Sequence, residues 1–124
     1  MLNFSIIFKP GLPIFEQVVY AVKKAIVFGQ LKTGDRFPSV RELSRELRIN
    51  PNTAQKVVTN LVQANLLQIK PGIGSVVAEP SEATKAQKEK ILHSEIERLV
   101  VEAKRLSIKK KELIEAIQKQ WEVD

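Results

Sequence analysis

Cysteine is absent from the 124 residues, which removes disulfides, thiolate catalysis and cysteine metal sites together. The single histidine, His93, has no carboxylate cluster in register with it, so neither a metal site nor acid–base chemistry has a set of partners. Glycine loops of the Walker or dinucleotide type are missing. No run approaches the roughly 18 apolar residues a helix needs to cross a bilayer. The opening MLNFSIIFKPG lacks the basic flank and small-residue cleavage site of a signal peptide. These absences argue against an enzyme, a cofactor, a metal and a membrane role. The simplest expectation is a cytoplasmic protein.

What is present is positive charge, unevenly placed. Residues 1–80 carry ten Lys/Arg against five Asp/Glu, a net of +5, whereas residues 81–124 carry ten against nine. An excess confined to one part of the chain suits a polyanion partner such as nucleic acid.

The basic part centres on GDRFPSVRELSRELRINPNTAQKVVTNLVQAN, residues 34–65. Ser39-Val40-Arg41-Glu42 has capping-box spacing, in which the serine oxygen accepts a free backbone N–H and the glutamate returns to the serine N–H. Val40, Leu43 and Leu47 then mark one apolar helical face. A second helix starts at Asn50 as N-cap, with Pro51 suited to a first helical position. Ala54, Val57, Val58 and Leu61 form its inner stripe, and Asn52, Gln55, Lys56, Thr59 and Gln63 face outward. So short a link between two helices is the spacing of a helix-turn-helix, whose second helix enters the DNA major groove. Amides, a hydroxyl and a lysine can pair with base edges and phosphates, whereas an ordinary solvated face would include Glu freely.

Around this centre the remaining chain reads in order. Phe4, Ile6 and Phe8 alternate with Asn3, Ser5 and Ile7 in an extended arm over residues 1–12. A first helix runs from Pro13 to Gly29, with Ile14, Val18, Ala21, Val22, Ala25 and Ile26 on its apolar face. Leu31 to Phe37 reads as a loop in which Arg36 stands near enough to reach a phosphate. Leu66–Lys70 and Ser75–Ala78 read as two strands joined by Pro71-Gly72-Ile73-Gly74, a hairpin in the position of a wing.

The predicted fold is mainly α with a small β-hairpin: a winged helix-turn-helix over residues 1–78, a linker at 79–81, and a two-helix region over 82–124. In that last region Leu92, Ile96, Leu99, Ala103 and Leu106 follow a 4-3-4-3 seam on a helix from about Glu82 to Leu106. After a turn near Ser107-Ile108, a helix from about Lys109 carries Leu113, Ile114, Ile117 and Trp121 on one side. Two such helices need a partner for their seams. Leu92, Ile96, Leu99, Ala103, Leu106, Leu113, Ile117 and Trp121 are therefore the expected interface of a homodimer, and two winged units on a two-fold axis would read paired half-sites.

The run GDRFPSVRELS…INPNTAQKV…LLQIKPGIGSVV resembles the winged helix-turn-helix of GntR-type bacterial transcription regulators. LPIFEQV, INPNT and the short two-helix tail resemble the YtrA subfamily. The resemblance implies a dimeric DNA-binding regulator, usually a repressor, at an inverted repeat, often governing its own gene and a transporter operon. Carried over by residue, Arg41 matches the contacting arginine of the first reading helix. Asn50, Asn52, Thr53, Gln55 and Lys56 fall on contacting positions of the second, and Gly72 and Gly74 match the wing glycines. Arg36, Pro51 and Lys70 complete the expected DNA contacts. Asn65 stands where the family usually has Gly, Ile73 replaces a common basic or polar wing residue, and Val76 replaces Phe. Asn is the next-best residue for a left-handed cap, so the turn at Asn65 is expected to survive.

Two alternatives stay open at this level: a winged helix serving as a protein- or RNA-interaction module, and a DNA binder without sequence preference. About 44 residues beyond the linker can hardly enclose a pocket of a few hundred cubic ångströms. An unidentified small-molecule effector would therefore sit between subunits.

Overall fold

An extended arm leads into the first helix, and both are shaped by which side chains can leave water. The computed structural model describes residues 2–123. It divides into two units, one ending at Ser81 and the other beginning at Glu82, and each is described by itself.

In the first unit the arm buries Phe4 and half-buries Leu2, Ile6 and Phe8 against the core, while Ile7 stays outside. The expected alternation of faces holds, although the arm joins no sheet. Gln17 ties it down: its Oε1 accepts from the Lys9 N–H at 2.7 Å, and its Nε2 donates to the Lys9 and Leu12 carbonyls. Helix α1, Ile14–Val27, follows with Pro13 at its N-cap. Its buried face is Val18, Val19, Val22 and Ala25. Val19 thus belongs to the core where the sequence pattern omitted it, and Ile14, expected inside, is exposed at the helix start.

Helices α2, Val40–Leu47, and α3, Pro51–Gln63, pack on each other, and α3 also packs on α1. Leu43, Ala54, Val57 and Leu61 are fully shielded from solvent at their junction. The leucine and valine side chains contribute roughly 1.5–3 kcal/mol each when removed from water, and alanine less. Helix α3 ends in a left-handed cap. Asn65 has φ 61°, its N–H donates to Val62, and the Leu66 N–H reaches back to the Leu61 carbonyl at 2.9 Å. These are the paired bonds of a Schellman motif, which Asn tolerates next after Gly.

Strands β1, Leu67–Lys70, and β2, Gly74–Val77, pair antiparallel with Leu67 opposite Val77 and Lys70 opposite Gly74. The segment before α2 is more than the expected loop. Phe37 N–H donates to the Ser75 carbonyl at 2.8 Å, Val77 N–H to Asp35 at 2.9 Å, and Arg36 bridges Val76. Residues 35–37 therefore cover the open edge of β2. Phe37 also stacks on Phe4 with ring centroids 5.8 Å apart, which fixes the arm to the base of the wing.

The second unit is helical. Thr84 caps α4, Lys85–Glu89, through a capping box with Gln87. The helix continues through a π-helical stretch, Lys90–Glu95, into α5, Ile96–Arg105. The π-helical stretch interrupts the continuous α-helix expected here. Bonds from i to i+5 wind the chain less tightly there than in the α-helices on either side. Ser107, φ 59°, ends α5 in a second Schellman pairing, with Ile108 N–H to Ala103 at 2.8 Å. Helix α6, Lys110–Trp121, follows. No helix among the described residues is long and apolar enough to cross a membrane.

Candidate nucleic-acid interface

Three pieces of backbone frame the candidate surface: the start of α2, the whole of α3, and the wing. Each is held by identifiable local chemistry.

Helix α2 starts in the expected capping box. Glu42 N–H donates to Ser39 Oγ at 3.1 Å, and Ser39 N–H donates to Glu42 Oε1 at 3.4 Å. The backbone bond from Ser39 holds the Glu42 carboxyl below the usual carboxylate range, helped by the serine hydroxyl and by the charges of Arg36 and Arg45. Arg41 is exposed in this first turn.

The link to α3 is Arg48-Ile49-Asn50. Arg48 adopts left-handed φ 54° and ψ 47°, and Ile49 N–H returns to the Ser44 carbonyl. Ser44 Oγ donates to the Ile49 carbonyl at 2.7 Å from a half-buried position. This side-chain clasp ties α2 to the link that follows it, and sequence reading did not single it out. Its signal was a serine inside a short helix, a residue type that readily bonds nearby backbone.

Asn50 then caps α3, its Oδ1 accepting from the Asn52 N–H at 2.7 Å, with Pro51 in the first turn and no acid there. Pro51, Asn52, Gln55 and Lys56 are exposed, and Thr53 is half-buried on the flank. Asn52, Gln55, Lys56, Thr59 and Gln63 share the solvent side of the helix. Phe15 of α1 borders this side. With Gln55, Lys56, Thr59, Asn60 and Gln63 it lines an open depression of about 520 Å³. A half-buried aromatic on α1 carries no mark in the sequence that would place it there.

On the wing, Gly72 and Gly74 have φ 78° and 108°, left-handed backbone that L side chains enter at a cost. Ile73 N–H closes the turn onto the Lys70 carbonyl at 3.1 Å. Lys70 is exposed at the end of β1, and Ile69 and Ile73 present apolar side chains beside it. Arg36, expected as a phosphate contact, is exposed but engaged: its Nη2 donates to the Ile73 carbonyl at 3.3 Å. Arg41, Asn50, Pro51, Asn52, Thr53, Gln55, Lys56, Lys70, Gly72 and Gly74 thus belong to the helix-turn-helix and wing of one unit, with Arg36 in the segment just before α2.

The residues expected at a dimer interface lie in the other unit, and most are open to solvent in the single chain. Leu92, Ile96, Leu99, Leu106, Ile117 and Trp121 are exposed, Trp121 to 86%. Leu113 is half-buried and Ala103 is buried.

Residues 14–77 match the sequence profile of bacterial regulatory proteins of the gntR family. The HTH-type transcriptional regulator YhcF of Bacillus subtilis is 30% identical over 110 residues, 89% of this chain and 91% of that protein. The HTH-type transcriptional repressor YtrA of the same organism is 29% identical over 96 residues, 77% of this chain and 74% of that one. A GntR family transcriptional regulator from Listeria monocytogenes superposes with a TM-score of 0.68 at 28% identity, over 90% of this chain and 98% of that one. The DNA-binding domain of AraR, solved in complex with operator ORX1, superposes with a TM-score of 0.53 at 25% identity, over 60% of this chain and 95% of that domain. A capped helix-turn-helix followed by a two-stranded wing, matched across these comparisons, establishes that the chain belongs to the gntR family of DNA-binding bacterial transcription regulators.

Proposed function

We propose that this chain is a cytoplasmic, homodimeric transcription repressor that reads an inverted-repeat operator, with α3 in the major groove of each half-site. The observation that carries this reading is the solvent side of α3, which holds amides, a hydroxyl and a lysine and has no acid in its first turn. Amides pair with base edges, and a cation pairs with the phosphates that supply most of the affinity. In this reading Gln55 and Asn52 meet bases, and Asn50, Thr53, Lys56 and Arg41 meet bases or backbone. Pro51 packs along the groove wall. Lys70, Gly72 and Gly74 bring the wing to the sugar–phosphate chain, with Arg36 beside them.

The exposed apolar side chains of residues 91–121 support the dimer, because a lone chain leaves them in water. Relatives named as a repressor, such as YtrA, support repression. The regulated genes would include the regulator's own and a transporter operon. The tail would set the spacing of the two winged units, and an effector bound between subunits would act by biasing that geometry.

Selection from a random-sequence duplex pool, with purified protein at near-physiological salt, tests the proposal. An enriched inverted repeat is the expected result. Retention without enrichment would replace the reading with non-specific binding, and no retention would replace it with an interaction module.

A further inference from the structure

One side-chain hydrogen bond lies on the solvent side of α3. Gln55 Nε2 donates to Thr59 Oγ1 at 3.2 Å, one helical turn along. Both residues are exposed, and Thr59 neither caps the helix nor enters the core. We propose that Thr59 is a positioning residue: it holds the Gln55 amide so that Oε1 and one N–H face an adenine in the major groove. The proposal rests on α3 being the DNA-reading helix.

The chemistry follows from counting donors and acceptors. A primary amide has two N–H donors and one acceptor oxygen. A bidentate contact to adenine uses the oxygen toward the N6 amino group and one N–H toward N7. The second N–H is then left over, in a groove from which water is being expelled. An unpaired donor there is costly, and the Thr59 oxygen provides its partner. Guanine presents two acceptors, O6 and N7, so an amide held in this orientation would face O6 with its own oxygen. Without Thr59 the second N–H loses its partner and the amide turns freely about its terminal torsion. A glutamine on a bare helical surface has no such preference, because its terminal torsion is soft.

The experiment is duplex selection with the full chain in four forms: wild type, Thr59→Val, Thr59→Ser and Gln55→Ala. Valine keeps the branched shape of threonine and removes the oxygen, and serine keeps the oxygen. Wild type is expected to prefer adenine at one base pair of each half-site, on the order of tenfold over guanine. Thr59→Val should lose most of that preference at that base pair alone, Thr59→Ser should retain it, and Gln55→Ala should abolish it. Adenine preference unchanged in Thr59→Val, or a Thr59→Val effect at a different base pair from Gln55→Ala, would overturn the inference. If wild type enriches a motif and Thr59→Val leaves it unaltered, this inference alone fails. If wild type enriches none, the reading of α3 fails with it.

Discussion

The guanidinium of Arg36 donates to the main-chain carbonyl of Ile73 at 3.3 Å, linking two residues 37 positions apart. One of them precedes α2, and the other forms the tip of the wing. The backbone of the same segment pairs with β2, and Phe4 stacks on Phe37 beneath it. The wing is therefore attached twice to the segment before the helix-turn-helix, by a side chain at the tip and a ladder along the edge, and that segment is in turn stacked on the arm. A hairpin of two strands is marginal by itself in water, so these attachments determine how firmly the wing is held.

Removing the tip attachment should loosen the wing without unfolding the unit. For Arg36→Ala we expect faster amide exchange at Ile73, a stability change within about 0.5 kcal/mol, as for most surface substitutions, and weaker binding to all duplexes alike. Exchange at Ile73 equal to wild type would show that the bond does not hold the tip.

Leu43 is fully buried where α2 meets α3. Leu43→Ala should cost about 2–5 kcal/mol, because the surroundings close only partly over the lost atoms. Urea unfolding followed by circular dichroism measures it. A cost under about 1 kcal/mol would mean the helix pair rearranges to fill the space.

Lys56 neighbours Gln55 on the solvent side of α3, and the two should fail differently. Lys56→Ala should weaken binding to every sequence and lower the salt slope of log K by about one, as loss of one phosphate contact does. A Lys56→Ala protein with an intact salt slope and an altered base preference would place lysine on a base edge.

Glu42 gives the fold an acid-side dependence. Its folded carboxyl titrates below the usual range because Ser39 N–H donates to it. A depressed folded pKa contributes stability that is present above the unfolded pKa and is lost as pH falls through the folded one. Thermal melts against pH should therefore show wild type losing its advantage over Glu42→Gln on acidification below the ordinary carboxylate range. A constant difference between the two at all pH values would assign the capping box no charge component.

Leu99 is exposed on α5 beside Ile96. Leu99→Glu should convert a dimer to a monomer in sedimentation equilibrium and lower affinity for a paired operator roughly a hundredfold, the loss expected when two linked sites become one. A Leu99→Glu protein that stays dimeric would move the interface elsewhere.

The parts legible in the sequence were the ones set by near neighbours. The capping box at Ser39 and Glu42, the Asn50-Pro51 helix start, the inner stripe from Ala54 to Leu61 and the left-handed Asn65 each depend on residues within about one turn. Helix period and turn chemistry are local quantities, so reading them needs no knowledge of the fold. The helix-turn-helix and the wing followed from them.

What only the tertiary structure decided was contact between distant residues. Arg36 reads as a free surface cation until the wing tip arrives beside it, and residues 35–37 read as a loop until β2 presents an open edge. The π-helical turn at residues 90–95 is local, yet no proline or glycine announces it. The sequence by itself determined the elements and the chemistry on the face of α3. The tertiary structure determined how the wing is fastened, because that depends on backbone groups that chain folding alone brings together.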